Sequence, residues 1–320
     1  MDGIFTQVAP DLYIIDQQFQ GTPHVIASYL IPGDNGHTLI ESGPTTTNAA
    51  LLAGIRAAGF DPADITQVVL THVHLDHAGG AGVLLTEHLP KARVLVHKAG
   101  GQHMIDPTKL VASAGRIYGD DMDRLWGEVR PVPADRVDIL DDGDTVVAGR
   151  RTLTALDTPG HAGHHMAYHD AEHGIVFTGD VAGIRVGPSP IVRPPTVPPE
   201  YSPELWLRSA ARVRALNPST IYLTHFGGFD DATRHFDDLI SRMFYWTGLV
   251  EGFLVSESDT KKVEVELHRR GDAEMLEAVP QEGLLVAYQL AGNYQMAVDG
   301  IARYVRKRDQ RRAEQAASTP

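Results

Sequence analysis

Short apolar segments separated by turn-forming residues occupy the first part of the chain. Apolar and polar residues alternate loosely over residues 8–16, and residues 25–31 form a continuous apolar run. Both patterns predict strands, and a third strand at residues 38–40 follows a Gly-Asp-Asn-Gly turn. Residues 46–58 carry leucine and isoleucine at helical spacing, which predicts a helix that Gly59 ends.

Further short apolar runs continue the strand pattern along the chain. These predicted strands are residues 67–71, 93–97, 137–140, 145–148, 152–156, 166–168, 175–177 and 220–223. Residues 106–131 contain prolines and glycines and are predicted to form an excursion between strands. Residues 187–203 hold seven prolines and are predicted to form a stiff loop, which leads into a helix at residues 204–216.

The pattern changes near residue 231, where the strand signals end. Residues 231–254 and 274–307 are predicted to be helical. We therefore divide the chain into residues 1–230, which mix strands with helices, and residues 231–320, which form a helical extension. This extension contains an apolar cluster, formed by Tyr245, Trp246, Leu249, Phe253 and Leu254. Three roles are open for it: a lid, the face of a homodimer, or packing against the rest of the chain.

Composition restricts the chemistry that the chain can carry out. Its 320 residues include no cysteine, so any metal site must use His, Asp and Glu. Lys and Arg number 28 against 41 Asp and Glu, and the net charge of −13 disfavours binding to nucleic acid. The N-terminus does not resemble a secretory leader, and no apolar run reaches about 18 residues. We therefore expect a cytoplasmic protein that does not span a membrane.

The strongest chemical signal follows the predicted strand at residues 67–71. Within six residues the chain places four potential metal ligands: His72, His74, Asp76 and His77. Imidazole and carboxylate groups bind zinc-type cations. Four such groups so close together cannot all reach one ion from a regular helix or strand. The segment therefore predicts a loop that serves two neighbouring metal centres.

Three more residues of ligand type lie where predicted strands end. His161 closes the segment Thr-Pro-Gly-His, Asp180 closes Phe-Thr-Gly-Asp, and His225 closes Leu-Thr-His. In α/β folds, functional sites assemble at the ends of strands. We therefore expect these three side chains to join the histidine-rich segment.

Four motifs together resemble those of the metallo-β-lactamase superfamily in order and spacing. They are residues 71–80, 158–161, 177–180 and 224–225. The resemblance covers about residues 8–228. It implies an α/β fold, a four-layer αβ/βα sandwich with metals at one edge, here followed by the C-terminal helical extension. It also implies a metal-dependent hydrolase of the glyoxalase II or lactonase-like branch, with residues 1–230 as its catalytic domain and a small molecule as its substrate.

The resemblance further implies a ligand set for two divalent metal ions. His72, His74 and His161 would hold the first ion, Asp76, His77 and His225 the second, and Asp180 would bridge them. Zinc is the expected metal, and iron and manganese are compatible with the same ligand types. Family members often carry Asp-x-Gly after the third strand, whereas this chain has the longer Glu41. The sequence therefore leaves open whether Glu41 takes the place of that aspartate beside the ligands.

The implied chemistry is attack by an activated water. Two metal ions about 3.5–4 Å apart lower the pKa of a bound water to about 7 and polarise a substrate oxygen. We predict attack on an ester-, lactone- or thioester-like bond, with Asp76 taking or passing a proton. Tyr168 is a candidate donor to the developing oxyanion, the alternative being a packed strand residue. Arg185, Arg193 and Tyr201, near the proline-rich loop, are candidates for contacting an anionic substrate group.

Three other functions are open at this point. A non-haem iron, oxygen-dependent enzyme on the same fold could use these ligand types, although such relatives often carry a carboxylate where His74 stands. A phosphodiesterase is disfavoured by the acidic charge. A non-catalytic metal-binding module would need a closed structural site, which is usually rich in cysteine. His164 and His165, beside His161, are predicted to support the ligands or to face solvent.

Overall fold

Two β-sheets form the centre of the molecule, as seen in a computed structural model that describes residues 3–318. The first sheet contains, in spatial and sequence order, β1 (Phe5–Ala9), β2 (Leu12–Asp16), β3 (Ala27–Ile31), β4 (His37–Ile40), β5 (Ile65–Val69), β6 (Arg93–His97) and β7 (Val137–Leu140). The second contains β8 (Thr145–Ala148), β9 (Arg151–Asp157), β10 (Met166–Asp170), β11 (Ile175–Phe177), β12 (Thr220–Leu223) and β13 (Gly227–Phe229), again in sequence order.

Helices cover the outer faces of both sheets. They are α1 (Asn48–Ala57), α2 (Leu75–Ala78), α3 (Ala81–Glu87), α4 (Lys98–Ile105), α5 (Thr108–Tyr118), α6 (Met122–Leu125), α7 (Pro203–Ala215), α8 (Ala232–Leu254), α9 (Thr260–Ala278), α10 (Glu282–Ala291) and α11 (Tyr294–Ser318). The strands β4 to β7 run parallel to one another, as do β11 and β12. Parallel neighbours need crossover connections, and helices supply most of them here.

Residues 3–318 contain four apolar clusters, three of which hold the layers together. Between the sheets, Tyr29 and Val69 of the first pack with Leu153 and Phe177 of the second. The outer core of the first sheet is built from α1, α3 and neighbouring strand residues, including Leu51, Leu84 and Val68. The outer core of the second sheet joins α7, α8, α9 and α11 to its strands, including Trp206, Phe236 and Ile221. The predicted αβ/βα sandwich with a C-terminal helical region is therefore confirmed.

The boundaries of several elements differ from the predicted ones. The single strand predicted at residues 8–16 is a hairpin, β1 and β2, that turns at Pro10 and Asp11. The excursion at residues 106–131 contains the helices α5 and α6, which were not predicted. The helix predicted over 274–307 is divided among α9, α10 and α11, with breaks around Pro280 and Gly292.

The apolar cluster of the helical extension packs against the second sheet's outer core. Trp246 is buried, and Leu249, Phe253 and Leu254 are partly buried against the same core, whereas Tyr245 is half exposed. Packing within the chain is therefore the observed role of most of this cluster. A homodimer and a division of the chain at residue 230 stay predictions. None of the helices between residues 3 and 318 is both long enough and apolar enough to cross a bilayer.

Candidate metal centre

Four strand ends bring the predicted ligands to one place. The segment from His72 to His77 follows β5, and its last residues form the short helix α2. His161 follows β9, Asp180 follows β11 and His225 follows β12. All seven predicted ligand residues thus come from segments that directly follow strands, and their donor atoms form three overlapping groups, each within 4.8 Å.

The first group consists of three histidine rings. The Nδ1 atom of His74 lies 2.9 Å from Nε2 of His72 and 2.9 Å from Nε2 of His161. Burial, together with the charges of neighbouring histidines, holds the pKa of His72 and of His74 well below the ordinary value. Burial likewise lowers the pKa of His161. Neutral imidazoles present lone pairs, so this trio can bind one cation.

The other four ligand residues, which we call the second group, are two histidines and two carboxylates. His77 Nε2 lies 3.3 Å from Asp180 Oδ1 and 3.6 Å from Asp76 Oδ2. His225 Nε2 lies 3.4 Å from Asp76 Oδ2 and 3.6 Å from Asp180 Oδ1. The second oxygen of Asp180 lies 3.4 Å from His161 Nε2, in the first group. Asp180 therefore touches both groups.

Buried atoms without hydrogen bonds mark the point between these groups. Within residues 3–318, His77 Nε2, His225 Nε2 and Asp180 Oδ1 are buried and make no hydrogen bond. Their mutual distances exceed those of a charge-assisted hydrogen bond. Such groups are costly unless a partner is present. Their arrangement fits a cation of the kind that imidazole and carboxylate bind.

The carboxylates of the centre are held in their ionised form. Burial opposes ionisation, but His77 and His225 outweigh it and lower the pKa of Asp76 to about 2. The same histidines and His161 hold the pKa of Asp180 well below its ordinary value, again against the effect of burial. Ionised carboxylates are the form that binds metal.

Glu41 contacts one of the candidate ligands, His77. Its side chain is fully buried, and Oε1 lies 3.0 Å from Nδ1 of His77. Glu41 also accepts hydrogen bonds from the Thr71 and Thr224 hydroxyls, the second at 3.2 Å. A carboxylate on Nδ1 directs the lone pair of Nε2 towards the centre. The longer side chain therefore still reaches the histidine that it supports.

Backbone groups orient two further histidines. His161 Nδ1 lies 2.8 Å from the carbonyl oxygen of Pro195, in the proline-rich loop. His225 Nδ1 lies 2.7 Å from the carbonyl oxygen of Val25. Since a carbonyl only accepts, each Nδ1 carries the proton and each Nε2 is free to bind a cation.

His165 supports Asp180 rather than joining the ligands. The backbone N–H of Asp180 donates to His165 Nε2 at 3.0 Å, and His165 Nδ1 lies 2.7 Å from the hydroxyl of Thr158. The preceding Gly179 has a φ of +49°, and a Cβ there would lie 2.7 Å from His165 Nε2. Glycine therefore lets the backbone approach His165 so closely.

A cavity of about 810 Å³ opens from the centre, and its inner end is lined by His74, Asp76, His161 and Asp180. A volume of this size suits a small-molecule ligand. Its other walls come from α5, α6, the proline-rich loop and the segment joining α10 to α11. The C-terminal helices therefore form part of the cavity wall.

Two tyrosines predicted near the substrate have other partners. Tyr168 is fully buried, and its hydroxyl donates to the carbonyl oxygen of Leu70 at 2.6 Å. The structure thus contradicts Tyr168 as an oxyanion donor, because the register of β10 directs the hydroxyl into the space between the sheets. The Tyr201 hydroxyl lies 2.8 Å from that of Thr247 and is also buried.

The two predicted anion-binding arginines are buried within the fold. Arg185 donates to Asp231 at 2.6 Å. Arg193 donates to the Tyr294 hydroxyl at 2.7 Å and lies over the rings of Tyr288 and Tyr294. These partners occupy both guanidinium groups, so the prediction that they contact a substrate anion is wrong.

The helix α5 is the main part of the site that the sequence analysis missed. Leu110, Ala114 and Tyr118 line the cavity and recur every four residues, which places them on one helix face. This spacing was readable in the sequence. The prolines and glycines at either end of the segment obscured it.

Comparison with known proteins agrees with this geometry. The sequence profile described as "Metallo-beta-lactamase superfamily" matches residues 21–225. A metallo-beta-lactamase fold-containing protein, ST1585 of Sulfurisphaera tokodaii, is 26% identical over 251 residues, which are 77% of this chain and 90% of that protein. N-acyl homoserine lactonase AttM of Rhizobium johnstonii is 28% identical over 165 residues, which are 44% of this chain and 57% of the lactonase.

A solved structure extends the likeness to the C-terminal helices. The metallo-beta-lactamase family protein TTHA1429 from Thermus thermophilus superposes with a TM-score of 0.67 at 20% identity and covers 95% of both chains. At 20% identity, this comparison shows a similar fold and nothing about function. The profile match spans more than half of the chain, and the chain therefore belongs to the metallo-β-lactamase superfamily and is a metal-dependent hydrolase.

Proposed function

We propose that the protein is a dinuclear metallo-hydrolase that cleaves an ester-, lactone- or thioester-like bond with an activated water. His72, His74 and His161 would hold one divalent ion, and Asp76, His77 and His225 the other. Asp180 would bridge them. The observation that carries the proposal is the set of buried, unpaired atoms on His77, His225 and Asp180 that face one another between the two groups.

The donor set fits two borderline cations. Five imidazoles and two carboxylates suit zinc, and iron or manganese are compatible. When bound, two such ions would supply a water that ionises near neutral pH and a Lewis acid for the substrate oxygen. The chain's own contribution is to fix the ligands, through Glu41 on His77 and the backbone carbonyls on His161 and His225.

Besides binding metal, Asp76 would transfer a proton. It is ionised and lines the cavity, so its carboxylate can accept a hydrogen bond from the attacking water. As the water attacks the carbonyl carbon, Asp76 can take its proton and pass it to the leaving oxygen or sulfur when the bond between that atom and the carbon breaks.

The candidate metal centre and the name of one relative support the proposed type of scissile bond. AttM is named an N-acyl homoserine lactonase, and its similarity to this chain extends over 165 residues. The alignment covers only 57% of that relative. We therefore propose lactone hydrolysis as one member of this class of reactions.

The test is metal analysis of protein purified without added metal, run beside a substrate panel of lactones, thioesters, phosphodiesters and β-lactams. We expect about two metal ions per chain and activity on the lactones or thioesters. Asp76→Asn and His161→Ala should each lose metal and activity. The half-buried His37 lies on β4, away from the cluster, and His37→Ala serves as the matched control.

Full activity and unchanged metal content in both site variants would show that the ligand assignment is wrong. A coloured iron protein that consumes oxygen would instead support the oxygen-dependent alternative. Turnover of the phosphodiesters alone would support a phosphodiesterase. Bound metal without turnover of any panel member would support a binding module.

A further inference from the structure

The cavity beyond the candidate metal centre has one strongly apolar side. Leu110, Ala114 and Tyr118 of α5 face it, and Leu290 of α10 and Met296 of α11 line it as well. We propose that this cavity binds the apolar acyl chain of an ester, lactone or thioester whose leaving portion carries no net charge. This inference rests on the proposed function and adds a substrate class to it.

The apolar residues form a continuous surface rather than scattered contacts. Phe19 and Trp126 stack with ring centroids 5.5 Å apart, and the Tyr118 ring packs edge-on against Trp126 at 5.0 Å. The Tyr118 hydroxyl reaches Met296 Sδ at 3.3 Å, so α5 and α11 meet beside the cavity. A flexible hydrocarbon chain can lie along such a surface, and each methylene it buries favours binding.

The charges around the cavity argue against a polyanionic leaving group. Apart from histidines and the candidate ligands, the lining residues of either sign are Lys109, Arg116, Arg124, Asp121, Glu200 and Asp299. Three are basic and three acidic, so their charges cancel. Arg124 is already paired with Asp121 at 2.9 Å. Away from the candidate metal centre, a phosphate-rich carrier would meet no net positive charge among these side chains, on a chain of net charge −13.

The experiment compares substrates that differ in one property at a time. Acyl thioesters of the neutral thiol N-acetylcysteamine, from acetyl to dodecanoyl, test chain length, and decanoyl-coenzyme A tests the leaving group with the same acyl chain. We expect kcat/KM to rise about threefold to fourfold per methylene until the apolar surface is covered. We expect the neutral decanoyl thioester to exceed the coenzyme A thioester by at least about tenfold.

A bulky substitution tests the position of the chain. Leu110→Trp should lower kcat/KM for decanoyl more than for acetyl substrate, because it fills the apolar surface. Leu249→Trp is the matched control, since Leu249 is also a half-buried helical leucine but packs in another core. Binding of 1-decanol, followed by calorimetry, should weaken in Leu110→Trp and not in the control.

The outcomes separate the two proposals. Hydrolysis with no dependence on chain length, or preference for the coenzyme A thioester, overturns the acyl-binding inference and leaves the hydrolase standing. Binding of decanol that Leu110→Trp abolishes, in a protein that hydrolyses none of these acyl compounds, supports the acyl site and overturns the proposed reaction.

A different observation concerns the hydroxyl of Tyr118. It lies at the cavity, and its hydrogen bond goes to the Met296 sulfur, which is a weak acceptor. A phenol is protonated at neutral pH, so the Tyr118 hydroxyl can donate. We infer that the Tyr118 hydroxyl donates a hydrogen bond to the carbonyl oxygen of bound substrate, the role first predicted for Tyr168.

Tyr118→Phe tests this role because it keeps the ring and removes the hydroxyl. We expect kcat to fall about 10- to 100-fold, with decanol binding unchanged. Tyr245→Phe, at a half-exposed tyrosine, is the control. Unchanged kcat and KM in Tyr118→Phe overturn the inference, whereas a wild-type protein without acyl hydrolysis counts against the proposed function instead.

Discussion

Glu41 illustrates how one residue can control a ligand that it does not replace. Its backbone φ of +66° lies in the left-handed region, which is uncommon for glutamate. That conformation is held by hydrogen bonds from Thr71 and Thr224 and by the contact with His77. Strained residues persist where the surrounding structure fixes them, often at functional sites. We therefore regard Glu41 as a positioning residue for His77.

Substitution of Glu41 should weaken metal binding. Glu41→Gln keeps the shape but removes the charge that fixes the proton on His77 Nδ1. We expect metal affinity to fall about 10- to 100-fold, measured by competition with a chelator. Glu87→Gln, at an exposed glutamate, should bind metal like the wild type. Equal affinities in the two variants would remove Glu41 from this role.

The sequence predicted candidate ligands better than it predicted their surroundings. His161, Asp180 and His225 could be recognised because each follows a strand end, and strand ends are visible in the apolar pattern. The partner of a side chain such as Tyr168 depends on sheet register and on a residue about a hundred positions away. Local sequence contains no such information, so its hydroxyl was misplaced.

Among the elements, the proline-rich loop and α11 act together. Pro195 accepts from His161, and the next residue, Thr196, donates its hydroxyl to the Ala297 carbonyl at 3.1 Å. A Cβ on Gly300 would lie 1.9 Å from the Thr196 carbonyl oxygen. The loop that holds a candidate ligand is therefore packed directly against a helix of the C-terminal extension.

Two glycine substitutions test this contact. Gly300→Ala should push the loop away, destabilise the fold by about 1–3 kcal/mol and reduce the metal content. Gly248→Ala, also within a helix but with no atom within 4 Å of its Cβ, should stabilise the fold by about 0.4–1 kcal/mol. Denaturant unfolding and metal analysis of both variants provide the measurement. A normal metal content in Gly300→Ala would contradict the link.

The start of α8 offers a pH-dependent test. Although burial opposes it, hydrogen bonds from Arg185 and Arg234 lower the pKa of Asp231 from 3.8 to about 2. The folded-state pKa is the lower one, so this stabilisation is present above pH 3.8 and is lost as the pH falls through 2.

We therefore expect Asp231→Asn to be less stable than the wild type at pH 6, and the difference in unfolding free energy to shrink at about pH 3. Urea unfolding at both pH values measures it, with the exposed Asp120→Asn as control. A difference that grows on acidification would refute the assignment of this ion pair.

Element types were predicted from the sequence more reliably than element boundaries. The strands at residues 93–97 and 175–177 were predicted as they are found, because each is a compact apolar run between turn signals. The helix α5 was missed because the prolines and glycines around it obscured the four-residue spacing of its apolar face. The contact between α5 and α11, and the cavity beside it, join residues far apart in the chain, so a local sequence pattern does not predict them.

At the scale of the whole molecule, the net charge of −13 affects the rate at which charged substrates associate with the protein. Long-range repulsion slows the approach of a polyanion and is screened by salt. We expect kcat/KM for decanoyl-coenzyme A to rise as ionic strength increases from about 0.01 M to about 0.15 M.

The neutral decanoyl thioester should show no such trend over the same range of salt. Steady-state rates for both substrates, measured in parallel, provide the comparison. A fall in kcat/KM for the coenzyme A thioester with added salt would indicate a local attraction that outweighs the overall charge.

The packing of Thr196 against α11 has a consequence for protein engineering. Exchanging the C-terminal helices for those of a relative, in order to alter substrate range, would also disturb the carbonyl that orients His161. Selectivity and metal retention are therefore expected to change together in such chimaeras. Libraries confined to α5 avoid this coupling, because that helix shapes the cavity while contributing none of the seven candidate ligands.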